Sequence, residues 1–230
     1  MLWKKLIVIG DSNTQFGYSE NGVWLRLLAD KLQRRCDIVN RGFAGYNTRY
    51  LKQLTPKILA EFPAESICGV IVLLGTNDSA GNSLQHVPLD EYKRNMKDIV
   101  GSILNYGVAK ENLILITPAK IDDVKWSKSI GSPSTHLDYL VKDYAGCCKD
   151  ICKELNLKCI DLYGLMGRAT DYEKYLFDGL HFSPSGGKLL FENLTPIIDD
   201  LFMKNKFNFP YWKDLDNREE LGEILQFSKK

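Results

Sequence analysis

Residues 67–75 read "ICGVIVLLG", a run with no charged or strongly polar side chain. A strand with one face in water alternates apolar with polar residues, whereas a strand covered on both faces reads as a continuous apolar run. The stretch therefore predicts a buried strand of a parallel sheet with helices on each side. Upstream, "KLIVIG" (5–10) and "CDIVN" (36–40) read as further strands, each followed by a helical candidate: "GVWLRLLADKLQRR" (22–35) and about 48–61. Downstream, "VPLDEYKRNMKDIVGSILNYG" (87–107) places Leu89, Tyr92, Met96, Ile99 and Ile103 at three- and four-residue steps. Pro88 stands near its start and Gly107 just past its end, which are helix start and stop signals. The strand "NLILIT" (112–117), a loop from about 118 to 135, a helix "LDYLVKDYAGCCKDICKELN" (137–156) and a strand "KCIDL" (158–162) follow. Strand and helix alternate throughout, so the chain is expected to be one doubly wound α/β domain over residues 1–230. Ser183-Pro184 gives a cap-like start to a last helix, with a kink or break expected at Pro196. From about Phe207 a tail begins, whose aromatic half is expected to pack on the body while its charged end frays.

Composition excludes several classes of partner. The 230 residues are 44% hydrophobic and 26% charged, and 30 basic against 29 acidic side chains give a net charge of +1. No basic run marks a nucleic-acid surface, and no segment approaches the roughly 18 apolar residues of a membrane span. A cytoplasmic protein acting on a small molecule is expected, and a homo-oligomer is compatible with the chain. Cys147, Cys148, Cys152 and Cys159 crowd one region, which raises the question of a metal. They form no Cys-x-x-Cys pair and have no histidine nearby in sequence, so they read as reduced packing residues and not as a metal site.

In open α/β sheets ligands bind beyond the carboxyl ends of the strands. Those positions here carry Gly10-Asp11-Ser12, "NRGFAGYNTR" (40–49), "GTND" (75–78) and, further on, "DGLH" (178–181). Together they supply a hydroxyl, an imidazole, carboxylates, a side-chain amide and glycine N–H groups, the parts that acyl transfer needs. "GDSNTQFG" (10–17) has neither G-x-G-x-x-G spacing nor a Walker lysine, which disfavours a nucleotide binder. It is also not a G-x-S-x-G elbow. A serine nucleophile needs a base and a group to orient that base. Asp178 and His181, separated by two residues in one loop, fit those roles toward Ser12. His86 and His136 read instead as solvated loop or capping residues. The oxyanion of an acyl transfer needs aimed donors, for which the N–H groups of Ser12 and Gly45 and the amide of Asn77 are candidates. Taken singly, Ser12 reads equally as a turn residue, Gly45 as a turn glycine and Asn77 as a loop-forming residue. Pocket walls are expected from loops 79–88 and 118–135, with Ile121 and Trp126 as linings.

These blocks, in this order across nearly the whole chain, resemble the GDSL or SGNH hydrolase superfamily. "NRGFAGYNTR", "ITP" (116–118), "DGLHFSPSGGKLL" (178–190) and "PYW" (210–212) look like its isoamyl acetate-hydrolysing esterase subgroup. The resemblance implies a three-layer α/β/α sandwich, flavodoxin-like, with a mostly parallel five-stranded sheet and no cofactor. It implies Ser12, Asp178 and His181 as the catalytic set and Ser12, Gly45 and Asn77 as the oxyanion hole. It further implies a serine esterase for short-chain, acetate-type esters working through an acyl-enzyme and placed in lipid degradation; the alternative is a catalytically weak or inactive binding protein on the same fold. One residue departs from the family pattern: Asn13 stands where leucine or isoleucine usually follows the serine. It puts a polar group where an apolar contact is usual, and that group must find a partner.

Overall fold

The computed structural model describes residues 3–203 and Trp212. Five strands, β1 (Lys5–Gly10), β2 (Asp37–Gly42), β3 (Ile67–Leu73), β4 (Leu113–Ile116) and β5 (Lys158–Ile160), form one sheet in the order β2-β1-β3-β4-β5. Every neighbouring pair is parallel. This is the flavodoxin-like strand order, in which the direction of winding reverses between β1 and β3 and a crevice opens there.

Side chains alternate along each strand, so one apolar run serves two cores. Leu6, Val8, Ile71, Leu73, Ile114 and Ile116 face one layer, built from α2 (Trp24–Lys31), α7 (Leu162–Gly167) and α8 (Pro184–Ile198). Ile7, Ile9, Val70, Val72, Leu113 and Leu115 face the other, built from α3 (Thr48–Leu59), α4 (Leu89–Asn105) and α6 (Asp138–Leu155). All twelve are at most 1% exposed. Each such side chain contributes roughly 1.5–3 kcal/mol of transfer free energy, so the strands that read as continuous apolar runs hold the sandwich together. β2, paired on one side only, is correspondingly the most polar strand.

α4 follows Pro88, carries Asp90 and Glu91 in its first turn, where they complement the helix dipole, and buries Tyr92, Met96, Ile99 and Ile103. On α6, Cys147, Cys148 and Cys152 are buried in the core beside Ile151, and all six cysteines are free thiols. They occupy the packing role that their spacing predicts.

The structure departs from the sequence reading in two places. The segment 118–135 is not all loop: α5 (Asp123–Ile130) lies within it, capped by Asp122, whose side chain accepts the Lys125 N–H. None of its residues is fully buried, so it lacks the apolar stripe that betrays a helix. α8 does not break at Pro196 but runs on to Ile198, and residues 199–203 continue as a wider π turn. Leu190, Leu194, Ile198 and Phe202, all buried, anchor this line of side chains to the sheet and hold the helix through the proline. The aromatic half of the tail lies outside the described residues, apart from the exposed Trp212. Among the described residues no helix is long and apolar enough to cross a membrane.

Candidate active site

Ser12 stands one residue past β1, beyond Asp11, as the first residue of a four-residue helix, α1 (Ser12–Gln15). Asp11 caps that turn: its side chain accepts the Asn13 N–H at 3.0 Å and its carbonyl accepts the N–H groups of Thr14 and Gln15. Ser12 is thereby held at the carboxyl end of the sheet with 7% of its surface exposed.

His181 reaches it from the loop before α8. His181 Nε2 lies 3.0 Å from Ser12 Oγ, and His181 Nδ1 lies 2.7 Å from Asp178 Oδ2. Asp178 Oδ1 accepts the N–H groups of Leu180 and His181 at 2.9 and 2.8 Å, so one carboxylate folds the loop with one oxygen and orients the ring with the other. Burial alone pushes this carboxyl up, but the hydrogen bonds from the His181 ring and from the two N–H groups outweigh it and hold the group down at about 2. An ionised carboxylate only accepts, so the imidazole proton sits on Nδ1 and Nε2 is left to take the hydroxyl proton.

The loop keeps its place through Gly179. At φ +104° a side chain is strained there, and an added Cβ comes within 2.4 Å of the Trp126 N and 2.6 Å of the Asp122 carbonyl oxygen. The start of α5 thus presses backbone to backbone on the histidine loop, and the Asp122 N–H donates to the Gly179 carbonyl at 2.8 Å. Trp126 sets its ring edge-on to His181 at 5.6 Å between centroids, and Phe16 does the same at 5.8 Å.

Across the β1/β3 crevice lie the other candidates. Asn77 is 4% exposed and donates through Nδ2 to the Tyr46 carbonyl at 2.8 Å, leaving one amide hydrogen for another acceptor. Gly45 has φ +80°, and its peptide is held from both sides: the Gln85 Nε2 donates to the Gly45 carbonyl at 2.8 Å, and the Ala44 N–H donates to Gln15 Oε1 at 2.7 Å. Among the described residues no protein acceptor takes the N–H of Ser12 or of Gly45. Gln15 and Gln85 escaped the sequence reading, which inspected strand ends for chemistry and not for residues that brace them.

The family model described as GDSL-like Lipase/Acylhydrolase matches residues 8–189, from β1 into α8. The chain belongs to the GDSL-like lipase/acylhydrolase family. As such it is a carboxylic ester hydrolase. It is 39% identical to the mouse isoamyl acetate-hydrolyzing esterase 1 homolog over 98% of this chain and 93% of that one. It is 36% identical to the human isoamyl acetate-hydrolyzing esterase 1 homolog, over 94% and 89%. Among solved structures, a lipase/acylhydrolase from Enterococcus faecalis superposes with a TM-score of 0.68 at 24% identity, covering 90% of this chain and 100% of its own. It shares the fold.

Two expectations about the surroundings of this GDSL site need correction. Ile121 is no pocket lining: it is 0% exposed and packs on Val141 and Leu180, because the turn into α5 aims it at the core. Nor is His136 a solvated cap; it is 6% exposed and meets the Trp126 ring at 6.3 Å. Its burial lowers its pKa to about 4, so it is neutral near pH 7. A cavity of about 320 Å³ opens beside His181, walled by Phe16, Asn21, Phe177 and Phe182. Of the expected linings Trp126 alone approaches the histidine. Among the described residues no three histidine, cysteine or carboxylate groups gather in a way that could hold a metal ion.

Proposed function

We propose that the chain is a serine esterase for short-chain, acetate-type esters, with Ser12 as nucleophile, His181 as general base and acid, and Asp178 as the group that orients His181. The observation that carries this reading is the unbroken line from Ser12 Oγ to His181 Nε2 at 3.0 Å and from His181 Nδ1 to Asp178 at 2.7 Å. As Ser12 Oγ attacks the ester carbonyl carbon, its proton passes to His181 Nε2 and the carbonyl oxygen takes up negative charge. That oxyanion is met by the N–H groups of Ser12 and Gly45 and the free amide hydrogen of Asn77. Preorganised donors of this kind are worth roughly a hundred- to a thousandfold in rate each. His181 then gives its proton to the departing alcohol oxygen, the C–O bond breaks and an acetyl-serine remains. Water, deprotonated by His181, attacks the acetyl carbonyl, and the collapse of that second intermediate returns the proton to Ser12 and frees acetate.

The names of the mouse and human relatives supply the acetate ester as the substrate class. The cavity beside His181 supports an apolar alcohol, since the histidine that protonates the leaving oxygen forms part of its wall together with Phe16 and Phe177. The test is hydrolysis of isoamyl acetate and p-nitrophenyl acetate by the purified protein and by Ser12→Ala. Turnover in the first and its loss in a folded Ser12→Ala support the reading. Undiminished hydrolysis by Ser12→Ala, or a wild-type serine inert to a fluorophosphonate, sinks it.

A further inference from the structure

We infer that Asn13 is a positioning residue that sets His181 against Ser12, using its side-chain amide as a substitute strand. Its Oδ1 accepts the Phe182 N–H at 3.0 Å and its Nδ2 donates to the Leu180 carbonyl at 3.4 Å. In a parallel ladder a residue donates to the carbonyl before its opposite number and accepts from the N–H after it. Asn13 makes that pattern with one side chain, and the residue it brackets is His181.

The clamp is itself held in place. The Asn13 N–H donates to Asp11 Oδ1 at 3.0 Å, and its carbonyl accepts the Trp24 indole N–H at 3.0 Å. Asn13 is 4% exposed, Leu180 4% and Phe182 2%, so water does not compete for either bond. Asn13 also follows Ser12 directly in the chain. One side chain therefore fixes the serine's own turn to the backbone on both sides of the histidine, and the two segments, 169 residues apart in sequence, cannot shift separately. A leucine would leave the Phe182 N–H and the Leu180 carbonyl without partners. An aspartate would accept from Phe182 but, when ionised, set negative charge against the Leu180 carbonyl.

The inference rests on the Ser12–His181–Asp178 reading, and the experiment separates the two. The second-order rate of fluorophosphonate labelling, kcat and KM for p-nitrophenyl acetate, and the low-field Nδ1 proton resonance of His181 are measured in the wild type, Asn13→Leu, Asn13→Asp and Leu28→Ala. Leu28 is fully buried in the core formed by α2 and belongs to neither loop, so Leu28→Ala supplies a control for lost stability. Small displacements of reacting groups cost up to roughly a hundredfold, so Asn13→Leu is expected to lose on the order of ten- to a hundredfold in labelling rate and kcat. KM should stay within about twofold, because ester binding is untouched while the serine-histidine geometry is not. Its low-field resonance broadens, while Leu28→Ala keeps wild-type kcat and a sharp resonance. Asn13→Asp, close in size to the native residue, guards against a leucine variant that does not fold. Its deficit relative to wild type should shrink as pH falls and the carboxyl regains a proton to donate to Leu180. Wild-type labelling rate and a sharp resonance in Asn13→Leu overturn the inference, as does a pH-independent deficit in Asn13→Asp. Absence of labelling in the wild type overturns the underlying reading instead.

Discussion

Asp11 and Asp78 bury their carboxyl groups at the ends of the adjacent strands β1 and β3, and the charge on Asp11 makes Asp78 harder to ionise. Burial is the larger cause for both: it pushes Asp11 up to about 6 and, against the hydrogen bonds from Thr48, Asp78 up to about 7. A carboxyl whose folded-state value lies above its unfolded one favours folding while neutral. That contribution is complete below the ordinary value of 3.8 and is lost as pH rises through about 7. Asp78→Asn cannot titrate. Between pH 5 and pH 8 the wild type should therefore lose on the order of 1–3 kcal/mol relative to Asp78→Asn, measured by urea unfolding at each pH. A constant difference would contradict the buried-carboxyl account.

Asp178 behaves in the opposite sense. Held at about 2, it contributes stability that is present above the ordinary carboxyl value and lost as pH falls toward 2, so it stays ionised across any working pH. Asp178→Asn keeps the size of the side chain and one acceptor for the loop, but its NH₂ favours the wrong imidazole tautomer. The expected result is a fall in kcat of on the order of a thousand- to ten-thousandfold with little change in KM. Steady-state kinetics with p-nitrophenyl acetate check it, and a loss of less than tenfold would remove Asp178 from the catalytic set.

On the oxyanion side, Asn77→Ala removes a donor and should lower kcat by roughly a hundred- to a thousandfold. Gln85→Ala removes only the brace on the Gly45 carbonyl, 2.8 Å away, and should cost on the order of tenfold. A large loss from Gln85→Ala beside a small one from Asn77→Ala would argue that Gln85, and not Asn77, meets the oxyanion.

Gly179→Ala inserts a methyl group where 2.4 Å separates the added carbon from the Trp126 N, at a φ that side chains avoid. The start of α5 and the histidine loop must part. Loss of several kcal/mol of stability, or a folded protein with kcat reduced by on the order of a hundredfold, is the expected outcome by calorimetry and kinetics. Wild-type stability and rate together would show that the two backbones have room to spare.

How much was legible from sequence depended on whether burial left a period. β1, β3 and β4 are covered on both faces, so their apolar runs announced a parallel sheet, and α4 and α6 wear a broad apolar stripe. α5 has no buried residue to set a period, and α8 is held through Pro196 by side chains whose partners lie on other elements. Within the candidate site, Ser12, Gly45, Asn77, Asp178 and His181 stood out in the sequence because strand ends concentrate chemistry. The structure brings Ser12, Asp178 and His181 into hydrogen-bonding contact. Gln15, Gln85 and the two bonds of Asn13 did not stand out, because each joins segments distant in sequence and leaves no local pattern. The departure at Asn13, which read as a polar group in want of a partner, proves to have two.

The strand order also imposes a timetable on synthesis. β1, which precedes its partners in the chain, lies inside the sheet, and its second flank stays bare until β3 has been made. The residues that face Ser12 come later still, after β5 and α7. Contacts of such long sequence separation form slowly, because a large loop must close before they stabilise anything. On the roles proposed for Ser12 and His181, a nascent chain stopped short of residue 181 can build much of the sheet and still offer its serine no base, so hydrolytic activity is expected only near the end of folding.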